Sequence, residues 1–118
     1  MILALVDDLM FRSKIKSTAT QAGIDVRFAG SKDAALTLMR AGAPALVIFD
    51  LNNARADPLG TLAAMKHDAA LASIPTVGYV SHVDGATIDA ARAAGVDDVL
   101  ARSAFTMQLP ELLKRQAG

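Results

Sequence analysis

Two uninterrupted apolar runs, each followed at once by acidic residues, stand out in the hydrophobic pattern of this chain. The first covers residues 2–6 and precedes Asp7 and Asp8, and the second covers residues 45–49 and precedes Asp50. Short runs that are apolar on both faces are typical of parallel strands buried between two layers of helices. We therefore predict two central strands that carry acids at their carboxyl ends.

The rest of the chain alternates between strand-like and helix-like patterns. Further strands are predicted at residues 25–29, 76–81 and 98–101, the first of these at a sheet edge, and residues 52–56 are predicted to form a polar loop. A helix is predicted after each strand, and Leu59, Leu62 and Met65 are expected to form the buried stripe of the third. Residues that favour helix starts or ends support these assignments: Gly23, Ser31, Gly42 with Pro44, Asp57 with Pro58, Asp84 and Gly95.

Five strands that alternate with helices predict an α/β fold with a parallel sheet covered on both faces. For a chain of this length we expect the flavodoxin-like (βα)5 arrangement with strand order 2-1-3-4-5, an order taken from known folds of this type. In that order the first and third strands flank the point where the strand order reverses. Ligands of such sheets bind there, outside the carboxyl ends of the strands.

The predicted topology brings Asp7, Asp8 and Asp50 to one place. Carboxylates that lie close together raise one another's pKa and destabilise the folded state, so a divalent cation best explains the cluster. Mg²⁺ prefers oxygen ligands of this kind. Two simpler interpretations stay open: Asp7 and Asp8 could only cap the helix that follows them, and Asp50 could be an ordinary turn residue.

Composition narrows the class of protein further. The 118 residues suit one domain, and a 53% hydrophobic but only 4% aromatic composition predicts an aliphatic core. The net charge is zero without a basic cluster, which argues against direct binding of nucleic acid. The absence of cysteine excludes disulfides and thiolate metal sites. No apolar run reaches the roughly 20 residues of a membrane span, and no signal peptide is apparent, so we expect a soluble cytoplasmic protein.

Taken together, these features resemble the response-regulator receiver domain of two-component signalling. The resemblance extends over essentially the whole chain in the family's order, which implies one receiver domain over residues 1–118 without an attached output domain. It rests on residues 5–8, 46–51, 57–59, 74–75, Ser81 and 95–100.

The resemblance implies a role for each residue of the expected site. Asp50 would accept a phosphoryl group from a histidine kinase or a histidine phosphotransfer protein. Mg²⁺ would be the cofactor, and the protein would change itself rather than act as an enzyme. An altered surface of the fourth helix, fifth strand and fifth helix would then bind a downstream protein. The metal ligands would be Asp7, Asp8, Asp50 and the backbone carbonyl of Asn52, with Ser81 as the switch hydroxyl and Arg102 in the place of the family's lysine.

Three departures from the family pattern favour an alternative. Arg102-Ser103 replaces a Lys-Pro pair, so we expect a trans peptide there and a loop path that need not bring Arg102 into the site. Val99 replaces an aromatic switch residue, and His82 stands where the family has a small residue. The alternative is a pseudo-receiver, a docking module that works without phosphorylation. A third hypothesis is a small Mg²⁺-dependent phosphatase or phosphotransferase with Asp50 as nucleophile, for which His82 is the only candidate acid–base residue.

Overall fold

The structure, a computed structural model, describes residues 1–81 and 84–117. In these two segments five strands alternate with five α-helices, as the hydrophobic pattern predicts. The strands are β1 (Ile2–Leu5), β2 (Val26–Phe28), β3 (Leu46–Asp50), β4 (Thr76–Val80) and β5 (Asp98–Ala101). The helices are α1 (Leu9–Gln21), α2 (Lys32–Ala41), α3 (Pro58–His67), α4 (Gly85–Ala94) and α5 (Arg102–Ala117).

All strand pairs are parallel, and the order in the sheet is β2-β1-β3-β4-β5. This confirms the predicted fold class and the edge position of the second strand. In the register of the central strands, Leu5 of β1 lies beside Phe49 of β3, and Asp50 lies beside Tyr79 of β4. The carboxyl ends of β1, β3 and β4 therefore meet at the same rim of the sheet.

The sheet is covered on both faces, which explains why its central strands are apolar throughout. One core cluster joins alternate strand residues such as Leu3 and Leu5 to α2, α3 and α4. The other joins Ile2 and Ala4 to α1 and α5. Every residue of β1 and β4 is buried, and in β3 the burial becomes partial at Asp50. The first acid of this strand thus marks the edge of the core.

Local capping chemistry sets the predicted helix boundaries. The Ser31 hydroxyl accepts a hydrogen bond from Ala34 N at 3.1 Å, and Asp84 and Asp57 cap α4 and α3 in the same manner. Gly95 ends α4 with a φ of 101°, a backbone conformation that glycine adopts without steric cost.

Some details differ from the sequence prediction. β1 and β4 each end one residue earlier than expected, β2 is shorter at both ends, and β3 is shifted by one residue so that it includes Asp50. Residues 52–56 are not all loop, because Ala54–Ala56 form a 3₁₀ helix with Ala56 buried. Leu59 was wrongly placed in the buried stripe: it is 40% exposed, since it lies in the first turn of α3 beside a surface groove between α3 and α4.

Three aromatic rings pack together in the core between the sheet and the α1/α5 layer. The ring of Tyr79 lies 4.7 Å from that of Phe11 and 4.9 Å from that of Phe105, measured between centroids. Its hydroxyl is buried and has no hydrogen-bond partner among residues 1–81 and 84–117. Burial also raises the pKa of Tyr79 far above its ordinary value. The ring contributes packing, whereas the hydroxyl carries a desolvation cost without a compensating bond.

We expect Tyr79→Phe to leave the free energy of unfolding unchanged or to raise it by up to about 1 kcal/mol, because it removes the buried unpaired hydroxyl. Tyr79→Leu removes the stacked ring as well and should lower the free energy of unfolding by about 1–3 kcal/mol. Urea denaturation of the three proteins measures both effects. A clear loss of stability in Tyr79→Phe would show that the hydroxyl has a partner in solution.

Candidate functional site

Asp50 is the last residue of β3 and the most enclosed acid at this rim. Its side chain is partly buried, and its Oδ1 accepts a hydrogen bond from Asn52 N at 3.0 Å. Burial is the largest cause of a raised pKa of Asp50, and the charges of Asp8 and Asp7 raise it further, while Arg102 lowers it. The charges of all three side chains therefore act on the Asp50 carboxylate, and we call Asp7, Asp8, Asp50 and Arg102 the acidic pocket.

Asp8 has two roles, one for each carboxylate oxygen. Its Oδ1 caps α1 by accepting hydrogen bonds from Met10 N at 2.9 Å and Phe11 N at 3.1 Å. Its Oδ2 lies 3.4 Å from Nη2 of Arg102. The backbone N–H of Phe11 is the largest cause of a lowered pKa of Asp8, with Arg102 contributing. The simple capping interpretation thus holds for Asp8, but it accounts for only one of the two oxygens.

Asp7 faces a second arginine, Arg12. Its Oδ1 is 4.0 Å from Nη2 of Arg12, whose Nε donates to the carbonyl of Val6. Both side chains lie close to Gly30 at the start of the β2–α2 connection. Asp7 raises the pKa of Asp50 less than Asp8 does. Asp7 is therefore an outer member of the acidic group.

Arg102 lies in the site, a position that the replacement of the Lys-Pro pair by Arg102-Ser103 left open. No cis peptide occurs in the described residues, as expected for Arg102-Ser103, and α5 begins directly at Arg102 without an intervening loop. The guanidinium Cζ lies 4.5 Å from the ring centroid of Phe11, in a cation–π contact. The helix start and this ring direct the charge towards Asp8.

Asn52 links the loop after β3 to the end of β4. Its Oδ1 accepts a hydrogen bond from Ser81 N at 2.6 Å, and its own N–H donates to Asp50. Ser81 follows β4 at the exposed rim of the sheet, on the same side as Asp50. The sequence analysis gave Asn52 a role only through its backbone carbonyl. It missed this side-chain contact, because no local pattern indicates a hydrogen bond across 29 positions.

The other two departures from the family pattern are Val99, which the structure describes, and His82, which it does not. Val99 is partly buried and packs against the core on the face of α2, α3 and α4, so an aliphatic side chain stands at the expected aromatic position. His82 lies outside the described residues.

The donor set around Asp50 suits a hard cation by its chemistry. It consists of carboxylate and backbone oxygens, which Mg²⁺ and Mn²⁺ prefer, and the chain has no cysteine. In the described segments no group of three histidine or acidic side chains is arranged to hold a metal ion. Asp7 and Asp8 instead face Arg12 and Arg102, respectively. The ligands fit by type, but they are not gathered into a metal shell.

No protein-family model and no curated protein matches the chain, whereas many solved structures do. A response regulator from Burkholderia multivorans is 29% identical with a TM-score of 0.78, and the match covers 99% of this chain and 94% of that one. The phosphorylated cyanobacterial phytochrome response regulator RcpA is 24% identical, with a TM-score of 0.79 and coverage of 97% and 88%. The Mn²⁺-bound response regulator Rcp1 is 18% identical, with a TM-score of 0.80 and coverage of 94% and 89%.

The chain has the receiver fold of response regulators. The resemblance drawn from the sequence motifs is thereby confirmed at the level of the fold, including strand order and the position of Asp50 at the strand-order reversal. In the described part of the receiver fold, no helix is both long enough and apolar enough to span a membrane.

The raised pKa of Asp50 gives a stability prediction. Because the folded state disfavours the ionised carboxylate, stability is lost as the pH rises through the folded pKa and is regained below the unfolded pKa of about 3.9. At neutral pH, Asp50→Asn should therefore raise the melting temperature, by about 1–3 °C for a half-exposed group. The difference from wild type should vanish below about pH 4.

Scanning calorimetry across this pH range measures the effect. Asp89→Asn, which removes one exposed charge from α4, is the matched control and should show no comparable gain. A lower melting temperature of Asp50→Asn at neutral pH would contradict the electrostatic description of the pocket.

Proposed function

We propose that this chain is a phosphoryl-accepting receiver domain and that Asp50 is its acceptor. The observation that carries the proposal is the position of Asp50: a partly buried carboxylate at the carboxyl end of β3, electrostatically coupled to Asp8 and Arg102, in a receiver fold. A carboxylate so placed is a competent nucleophile towards an activated phosphoryl group. The structure of phosphorylated RcpA, which has the same fold, supports this class of chemistry.

The donor in this proposal is a phosphohistidine on a kinase or phosphotransfer protein. An oxygen of Asp50 attacks the phosphorus, an O–P bond forms as the N–P bond breaks, and the leaving imidazole retains the electron pair and takes up a proton. Phosphoryl transfer needs mainly positioning and charge neutralisation. The Asn52 N–H holds the carboxylate of Asp50, and Arg102 contributes positive charge. The protein is consumed as acceptor once per transfer, so we do not propose a turnover enzyme.

A divalent cation completes the proposed site. Asp8, Asp50 and the backbone carbonyl of Asn52 would bind it, with Asp7 acting directly or through water. When bound, Mg²⁺ would neutralise the charge that develops on the transferred phosphoryl group. The oxygen-only donor set supports this assignment, and so does the Mn²⁺-bound state of Rcp1.

The proposed output follows from the contacts around the acceptor. A phosphoryl group on Asp50 would add charge and acceptor oxygens that can attract the Ser81 hydroxyl. We propose that this movement changes the surface of α4, β5 and α5, and with it the affinity for a downstream protein. The existing link from Asp50 through Asn52 to Ser81 supports the first part of this route.

Incubation with acetyl phosphate and MgCl₂ tests the proposal. We expect the mass of the intact protein to rise by one phosphoryl group, and peptide mapping after borohydride reduction to locate the group at Asp50. Asp50→Asn should remain unlabelled, whereas Asp89→Asn should label like the wild type. An absence of label under conditions in which a known receiver is modified would reject Asp50 as acceptor.

Two observations favour the second candidate function, a docking module that works without phosphorylation. Arg102 pairs with Asp8, which the phosphorylation hypothesis needs as a metal ligand, and Val99 removes the aromatic switch. In this function the receiver fold would bind its partner in the unmodified state. Unchanged partner affinity of Asp50→Asn, together with a lack of labelling, would favour it.

A further inference from the structure

Two contacts fix the guanidinium of Arg102 at the edge of the acidic pocket. Nη2 lies 3.4 Å from Oδ2 of Asp8, and Cζ lies 4.5 Å from the centroid of the Phe11 ring. Phe11 is itself almost fully buried, because its ring packs against that of Tyr79 in the core. The aromatic surface below the guanidinium is therefore rigid, and it holds one positive charge directly against the carboxylate.

Asp8 has little remaining capacity for a second cation in this arrangement. Its Oδ1 is occupied by the two N–H groups at the start of α1, and those bonds fix the orientation of the carboxylate. Oδ2 is the oxygen that faces Arg102. An ion that binds to Asp8 from the pocket must either share Oδ2 with the guanidinium or displace it.

We propose that Arg102 is a built-in competitor of the divalent cation, and that metal binding to Asp8 displaces the Arg102 guanidinium. The inference rests on the proposed metal site and adds a regulatory property to it. In the metal-free protein Arg102 neutralises part of the acidic charge, so the fold tolerates the acids without an ion. The metal ion and the guanidinium compete for one oxygen. Metal affinity is then set by the difference between the free energies with which the two cations bind it.

The exposure of the pair determines the size of the effect. The side chains of Arg102 and Asp8 are 42% and 43% exposed, and ion pairs open to water are weak. The competition should therefore weaken metal binding without abolishing it. We expect the loss of Arg102 to tighten Mg²⁺ binding by about 1.4- to fivefold, the range to which exposed ion pairs correspond.

Calorimetric titration with MgCl₂ alone tests the competition in wild type and in Arg102→Gln. The matched control is Arg40→Gln, which removes an exposed arginine paired with Asp68 at 3.6 Å. That pair joins the carboxyl-terminal ends of α2 and α3, at the rim opposite the acidic pocket. Arg40→Gln should bind Mg²⁺ like the wild type. Asp8→Asn keeps a residue that caps helices well but removes the charge, and should bind Mg²⁺ more weakly than any of the others.

A second measurement needs no variant. In the wild-type protein, the Nε–H resonance of Arg102 should shift as MgCl₂ is added, while that of Arg40 should not.

The outcomes separate the two proposals. Tighter binding by Arg102→Gln, together with the Arg102 resonance shift, supports competition. Equal or weaker binding by Arg102→Gln in a protein that does bind Mg²⁺ overturns the competition and leaves the metal site standing. If neither wild type nor Arg102→Gln binds Mg²⁺ at millimolar concentrations, the metal site itself is rejected, and the competition with it.

Discussion

The pairing of β1 with β3 is the constraint on which the site depends. Both strands are buried between two helical layers, and the register that sets Leu5 beside Phe49 brings their acidic ends to one rim. A shift of either strand towards the core would draw Asp7 or Asp50 between the helices, where an unpaired charge is costly. The same acids that form the pocket thus also limit how far the strands can slide. Site and fold are specified by the same few residues.

Charge compensation within the pocket distinguishes its three acids. Asp7 faces Arg12 and Asp8 faces Arg102, whereas Asp50 accepts a hydrogen bond from the backbone of Asn52. The pKa of Asp8 is lowered and that of Asp50 is raised, so two environments at the same rim of the sheet act in opposite directions. The N–H groups at the start of α1 and Arg102 stabilise the carboxylate of Asp8, whereas burial disfavours the ionised form of Asp50. That asymmetry suits the acceptor role proposed for Asp50 and the ligand role proposed for Asp8.

Much of the fold could be predicted because its determinants are local. Apolar runs define the strands, and capping residues such as Ser31 and Gly95 define helix ends by contacts within a few positions. The Arg102–Asp8 pair joins residues 94 positions apart, and it depends on α5 beginning without a loop. No pattern near Arg102 indicates that geometry. The prediction that Leu59 is buried was wrong for a related reason: helical spacing does not show how far the first turn of a helix extends beyond the sheet.

The three packed rings of Phe11, Tyr79 and Phe105 lie on the other face of the sheet from position 99, where the aromatic switch was expected. Tyr79 stacks under α1 and α5, while Val99 occupies the opposite face of the sheet. If Asp50 is phosphorylated as proposed, the change cannot pass to β5 through a ring at position 99. The described route runs instead through Asn52, whose N–H holds the Asp50 carboxylate and whose side chain holds the backbone of Ser81. Modification of Asp50 alters the acceptor of that N–H. The change would then reach the end of β4 through the side chain of Asn52 and the backbone N–H of Ser81.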